Sequence, residues 1–252
     1  MLIENATIVD GTGKHSYDAN VLIKGGKIAE IGKPDPAGEE RMDARGLVLA
    51  PGFIDIHTHY DPQLCWDGLA TPSIEHGCTT VVTGNCSLTL APVRKDEGRR
   101  KLVGMFERIE DIEERVFDAA VSFEWESFPE YMDHIGRHLG INVGALVGHS
   151  ALRQYVMGAA SQERTARREE TEEMCQLLRE AMAAGALGLS ISHVDTDENG
   201  VPVPSRFADM DEKRALCRAM AESGRGMLQT VPMFIDPKQQ LANIAELAEL
   251  SI

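Results

Sequence analysis

Gly52-Phe53-Ile54-Asp55-Ile56-His57-Thr58-His59-Tyr60-Asp61 is the stretch that decides how this chain reads. An apolar strand runs into two histidines separated by one residue, with an aspartate two positions on. Side chains at i and i+2 of an extended strand point to the same side, so His57 and His59 can offer both imidazoles to one point, as a metal clamp does. A His-x-His triplet alone carries little weight, since it arises by chance in roughly a quarter of chains of this length and histidine content. Its setting adds weight. The pair closes a strand after a Pro51-Gly52 break, and ligands in parallel α/β folds gather at the carboxyl ends of strands.

Beyond this stretch apolar strands alternate with longer helical segments, the pattern of a parallel sheet with crossover helices. Five strands are predicted: Phe53 to Ile56, Thr79 to Thr83, Asn142 to Val147, Leu187 to Ile191 and Met227 to Val231. Met174, Leu177, Leu178, Ala181 and Met182 fall at helical spacing behind an acidic start, and Gly185 closes that helix. Further helices are predicted over Asp209 to Ser223 and Lys238 to Ile252. A closed barrel of this kind uses eight strands, so the expected fold class is α/β, an incomplete (β/α)8 TIM-type barrel. Ahead of it, residues 2 to 50 alternate in short-strand manner, with Gly25-Gly26 as a hairpin turn. The boundary is placed at 51/52.

Two connections are longer than the fold requires. Leu88 to Gly140 is expected to form a lid or wall over the site. His193 to Ala208, rich in Asp, Gly and Pro, is read as a solvated loop with a substrate-facing role as the alternative.

The formal charge of −15, from 40 acidic and 25 basic residues, argues against nucleic-acid and anionic-membrane partners. The start lacks a signal-peptide pattern and no apolar run approaches the ~18 residues of a membrane span, so a cytoplasmic location is expected. Five cysteines without paired spacing argue against a complete disulfide framework.

Strand two ends in Thr83-Gly84-Asn85-Cys86-Ser87, at the same rim as His57 and His59. Thiolate is a good zinc ligand and can bridge two metals, so Cys86 joins the metal candidates; Cys65, Cys78, Cys175 and Cys217 read as ordinary thiols. Strand three ends in Gly148-His149-Ser150-Ala151-Leu152-Arg153. His149 and Arg153 are candidate substrate-binding residues, Arg being suited to a bidentate carboxylate grip; the alternative is that the histidine orients a neighbouring loop. Asp61 is expected to hold a ligating imidazole from behind, and His193 is a weaker candidate.

The segments IENATIVDGTG, DARGLVLAPGFIDIHTHYD, HGCTTVVTGNCSLTLAPV and GALVGHSALRQYVMG together resemble the amidohydrolase superfamily, within it the D-aminoacylase (N-acyl-D-amino-acid deacylase) group. The resemblance implies that residues 1–51 are a β-sandwich portion of a composite domain and 52–252 the N-terminal part of a metal-dependent barrel. It implies one or two zinc ions held by His57, His59 and Cys86, the cysteine taking the metal-bridging place of a carboxylated lysine. It further implies a small-molecule N-acyl amino acid as substrate. The strand-five histidine of the family has no counterpart in Met227-Leu228-Gln229-Thr230-Val231; Gln229 is the stand-in oxygen ligand. The strand-six histidine and the general-base aspartate are expected beyond Ile252. The chain alone is therefore expected to be inactive, with a missing C-terminal half or a second copy as its partner. The alternatives are a cyclic-amide hydrolase of the dihydroorotase or hydantoinase type and a non-catalytic fragment serving as a scaffold.

Overall fold

Two units, Met1–Phe53 and Ile54–Ile252, make up the chain in the computed structural model, which describes every residue except Pro36, Asp96 and Ile252. The first unit carries β1 (Leu2–Ile8), β2 (Tyr17–Lys24), β3 (Lys27–Gly32), β4 (Arg41–Asp43) and β5 (Val48–Leu49). They form one sheet in the order β3-β2-β1-β4, with β5 also paired to β1. Gly25 (φ 57°) and Gly26 (φ 72°) make the predicted turn, the positive φ values that a two-residue hairpin needs. Leu2-Ile3 and Thr7-Ile8 belong to one strand, broken by a bulge between Ile3 and Ala6 where Asn5 takes φ 62°. Asparagine is among the few non-glycine residues that tolerate this conformation. One face of the sheet buries Ile3, Ala6, Ile8, Val21 and Ala44. The expected sandwich portion is a single sheet among the described residues.

The second unit begins within β6 (Phe53–Asp55) and continues through β7 (Cys78–Thr83), α1 (Glu97–Glu110), α2 (Glu114–Ala120), α3 (Phe128–Ile135), β8 (Asn142–Gly148) and α4 (His149–Met157). It then runs through α5 (Arg168–Ala183), β9 (Gly188–Ser192), α6 (Met210–Ala221), β10 (Met227–Val231) and α7 (Pro237–Leu250). The strands lie side by side in chain order, β10-β9-β8-β7-β6, with β7 to β10 paired in parallel. This is the arrangement of successive strands in a (β/α)8 barrel, and it brings the carboxyl ends of all five strands to one rim. Asp209 caps α6 by accepting the Glu212 N–H, and Asp236 caps α7 by accepting the Lys238 N–H. The predicted end of the last helix, Ile252, lies outside the described residues.

The Leu88–Gly140 segment corrects an expectation. Of the two expected forms, lid or wall, the lid does not hold: Leu88, Phe106, Phe117, Trp125 and Tyr131 are buried in the main core with Val81, Val147 and Leu189 of the sheet. The last residue of α1, Glu110, approaches His59 at the rim. The outer strands of the sheet differ from its centre. Ile54 within β6, Ile56 just after it, and Phe234 and Ile235 after β10 are between 63% and 80% exposed, at the two outer strands of an open sheet. Among the described residues no helix is long and apolar enough to cross a membrane.

Candidate metal centre

Thr58 fixes the direction of the two histidines. Its backbone N–H (3.0 Å) and hydroxyl (2.8 Å) both donate to the Val82 carbonyl of β7, so Thr58 faces the sheet and its neighbours His57 and His59 face away from it. The Asn85 amide donates to the carbonyls of Thr58 (3.1 Å) and Val82 (2.9 Å), tying the two strand ends together.

The turn after β7 brings Cys86 to the histidines. Gly84 has φ +75°, and a Cβ there would lie 2.1 Å from the Leu146 carbonyl oxygen of β8, so only glycine fits. Cys86 (φ 54°) and Ser87 (φ 63°) are also left-handed, a conformation costing on the order of 1–3 kcal/mol per residue unless its surroundings impose it. They do impose it. The Cys86 N–H donates to Gln229 Oε1 (3.2 Å), the Ser87 N–H to Ser190 Oγ (3.0 Å), and the Ser190 hydroxyl to the Gly84 carbonyl. Gln229 thus holds the cysteine turn, in place of the direct ligand role expected for it.

His57 Nε2 comes to 3.2 Å from Cys86 Sγ, and donor atoms of His57, His59 and Cys86 all lie within 4.8 Å of one another. The imidazoles meet edge to face, centroids 5.4 Å apart. Burial and the neighbouring His57 push His59 down to about 4. Burial, then Asp195 and Glu110, push the Cys86 thiol up to about 12. Two imidazoles and a thiol are thus packed together, with His59 Nδ1 buried and without a hydrogen-bond partner. Such orphaned atoms are uncommon in native interiors. A soft N,N,S donor set suits zinc or a similar transition metal, whose charge converts the thiol to thiolate; the residues fit such an ion.

Asp61 does not hold an imidazole. The chain turns at Asp61-Pro62, and the fully buried carboxylate accepts the Gly84 N–H (3.1 Å), bracing the cysteine turn; burial pushes its pKa up to about 7. The carboxylate facing His59 is one that the sequence reading missed: Glu110 Oε1 lies 3.4 Å from His59 Nε2. A second, Asp195, is half-buried, and its charge helps raise the Cys86 thiol while His57 acts to lower Asp195 itself. Its loop is no solvated loop, because Asp197, Val203 and Ser205 are almost wholly buried. His193 approaches Glu246 (3.6 Å) and Asn243 of α7.

His149 and Arg153 are also corrected. Both are completely buried and engaged by Glu212 of α6: His149 Nε2 lies 2.8 Å from Glu212 Oε1, and an Arg153 NH1 group donates to Oε2. Arg153 donates further to the Ser161 and Arg164 carbonyls, and His149 Nδ1 meets the Ser205 hydroxyl at 3.2 Å. No face of either side chain is open to a ligand. Burial pulls the His149 pKa down, against the opposing pull of its hydrogen bond to Glu212 and that carboxylate's charge. Burial would raise Glu212, but the His149 hydrogen bond and the charges of His149 and Arg153 outweigh it and bring it from 4.5 to about 2.

A pH dependence follows. Because the folded pKa is the lower one, Glu212's contribution is whole above about 4.5 and is lost as pH falls through about 2. The urea midpoint of the wild type is expected to drop across that window more steeply than that of Glu212→Gln; parallel profiles would refute the assignment.

Comparison with known proteins agrees with this fold. The Amidohydrolase family matches residues 40–251, and the chain belongs to that family. It is 35% identical to the D-aminoacylase of Alcaligenes xylosoxydans xylosoxydans over 226 residues, covering 89% of this chain and 42% of that protein. A D-aminoacylase structure concerned with the role of its binuclear metal centre superposes with a TM-score of 0.76 at 30% identity, covering 99% of this chain and 48% of the other. The N-acyl-D-glutamate deacylase of Bordetella bronchiseptica, complexed with zinc and a phosphonate mimic of the tetrahedral intermediate, gives 0.73 at 27% identity, covering 99% and 48%. The chain spans less than half the length of these relatives.

Proposed function

We propose that this chain supplies the metal-holding half of an enzyme that hydrolyses the amide bond of N-acyl-D-amino acids, giving a carboxylic acid and a free D-amino acid. The observation that carries the reading is the convergence of His57, His59 and Cys86 at the rim; the similarity to D-aminoacylase supports the substrate class. Zinc is the ion best matched to two imidazoles and a thiolate, and when bound it supplies Lewis acidity toward the amide carbonyl.

The protein's own contribution is orientation. Thr58 and Asn85 hold the histidine strand against β7, while Gln229 and Ser190 hold the cysteine turn. His57 stands exposed and Cys86 buried, so the site is open on the imidazole side, where a substrate carbonyl would enter, and closed behind the sulfur. Five strands of eight leave the rim unfinished, and the chain alone is expected to show little or no turnover. Positioned proton transfer by itself is worth roughly 10²–10⁴-fold.

The purified chain is expected to bind zinc or cobalt(II), with a sulfur-to-cobalt charge-transfer band that disappears in Cys86→Ala. Absence of binding, or a band that survives the substitution, would overturn the ligand assignment. In a protein carrying this chain within a closed barrel, hydrolysis of N-acetyl-D-amino acids and not their L enantiomers is the expected activity.

A further inference from the structure

We propose that Glu110 is a further donor of this metal centre, a carboxylate delivered from the end of α1 that closes onto the cation held by His57, His59 and Cys86. The inference rests on the metal-centre reading above and adds a residue to it that lies on no strand end.

The first support is register. α1 buries Leu102, Val103, Met105 and Phe106, and Glu110 follows Phe106 by four and Val103 by seven. It therefore continues the core-facing stripe of the helix, where an apolar residue is the usual occupant and an acid carries a desolvation cost. The stripe anchors the helix in the main core, so the carboxylate is delivered from a rigid base. Asp111, with φ 58°, ends the helix immediately after it.

The second support is distance. Adjacent ligands of a tetrahedral ion bound at about 2.0–2.2 Å stand roughly 3.3–3.6 Å apart. Glu110 Oε1 is 3.4 Å from His59 Nε2. His59 Nδ1 is the ring nitrogen shut away from solvent, so the ring turns its Nε2 edge to the carboxylate. Glu110 stands outside the trio whose donor atoms share the 4.8 Å limit. It reaches a common ion by rotation of its side chain, which is a quarter exposed and accepts no hydrogen bond among the described residues.

Two other polar groups nearby already have hydrogen-bond partners. Gln229 accepts the Cys86 N–H. Asp195 accepts the Ser192 hydroxyl, and Arg206 grips the carbonyls of Val194 and Asp195. Charge gives the last support: two neutral imidazoles, one thiolate and one carboxylate balance a divalent cation, the combination least costly to bury.

The test is cobalt(II) titration of the metal-free chain against a competing chelator, with the visible spectrum recorded. Glu110→Gln is expected to bind at least about ten-fold more weakly, keeping the Cys86 charge-transfer band while its d–d envelope changes. Glu110→Ala, a good helix former, should do the same and keeps the test open if the amide disturbs α1. Wild-type affinity with an unchanged d–d envelope in either folded variant would overturn the proposal. A wild-type chain that binds no cobalt would instead overturn the metal-centre reading, and this inference with it.

Discussion

Glu212→Ala is expected to destabilise the second unit by about 3–5 kcal/mol, the usual consequence of removing one partner from a buried ion pair. Arg153 is completely buried and Glu212 is its carboxylate partner. The remaining acceptors of its guanidinium are the Ser161 and Arg164 carbonyls, which offer dipoles and no countercharge. The same substitution strips His149 Nε2 of its acceptor. Urea unfolding followed by circular dichroism would measure the loss. A pair replaced together behaves differently, because hydrophobic residues of similar volume often substitute for a buried ion pair at little cost. Arg153→Met with Glu212→Leu should therefore recover much of what Glu212→Ala loses. A single-variant loss under about 1 kcal/mol would show that the cluster is not the brace described above.

Gly84→Ala is expected to be comparably severe and to abolish metal binding. The new methyl would stand 2.1 Å from the Leu146 carbonyl oxygen, a backbone atom that cannot swing aside, with φ already at +75°. The left-handed conformation alone costs an L-residue about 1–2 kcal/mol. The overlap can be relieved only by parting β7 from β8, for a total loss of about 3 kcal/mol or more. Cys86 is two residues on, so any shift misplaces the thiol. Loss of both the cobalt charge-transfer band and the urea midpoint is the expected result. Gly136→Ala, where a Cβ meets open space, is the control and should leave both unchanged.

The strands were legible because each is a short apolar run ended by glycine, proline or a polar cluster, and a central parallel strand must be apolar on both faces. His57 and His59 were legible because the strand period puts them on one side. That period also misled. It placed Asp61 beside the histidines, whereas the chain leaves the extended conformation at the Asp61-Pro62 turn and sends the carboxylate under Gly84. His149 and Arg153 looked like substrate grips because the partner that occupies them lies 63 and 59 positions away, on a helix whose acids read as favourable first-turn charges. Glu110 had one faint sign, an acid on the apolar stripe of α1. A helix end's approach to a strand end is a tertiary fact with no local pattern.

The bond from Cys86 to Gln229 crosses 143 positions, and Ser87 to Ser190 crosses 103. During synthesis the two histidines and the cysteine therefore leave the ribosome well before the polypeptide that fixes their turn has been made. A nascent chain stopped short of residue 229 would hold His57, His59 and Cys86 and lack the bond that pins the cysteine turn.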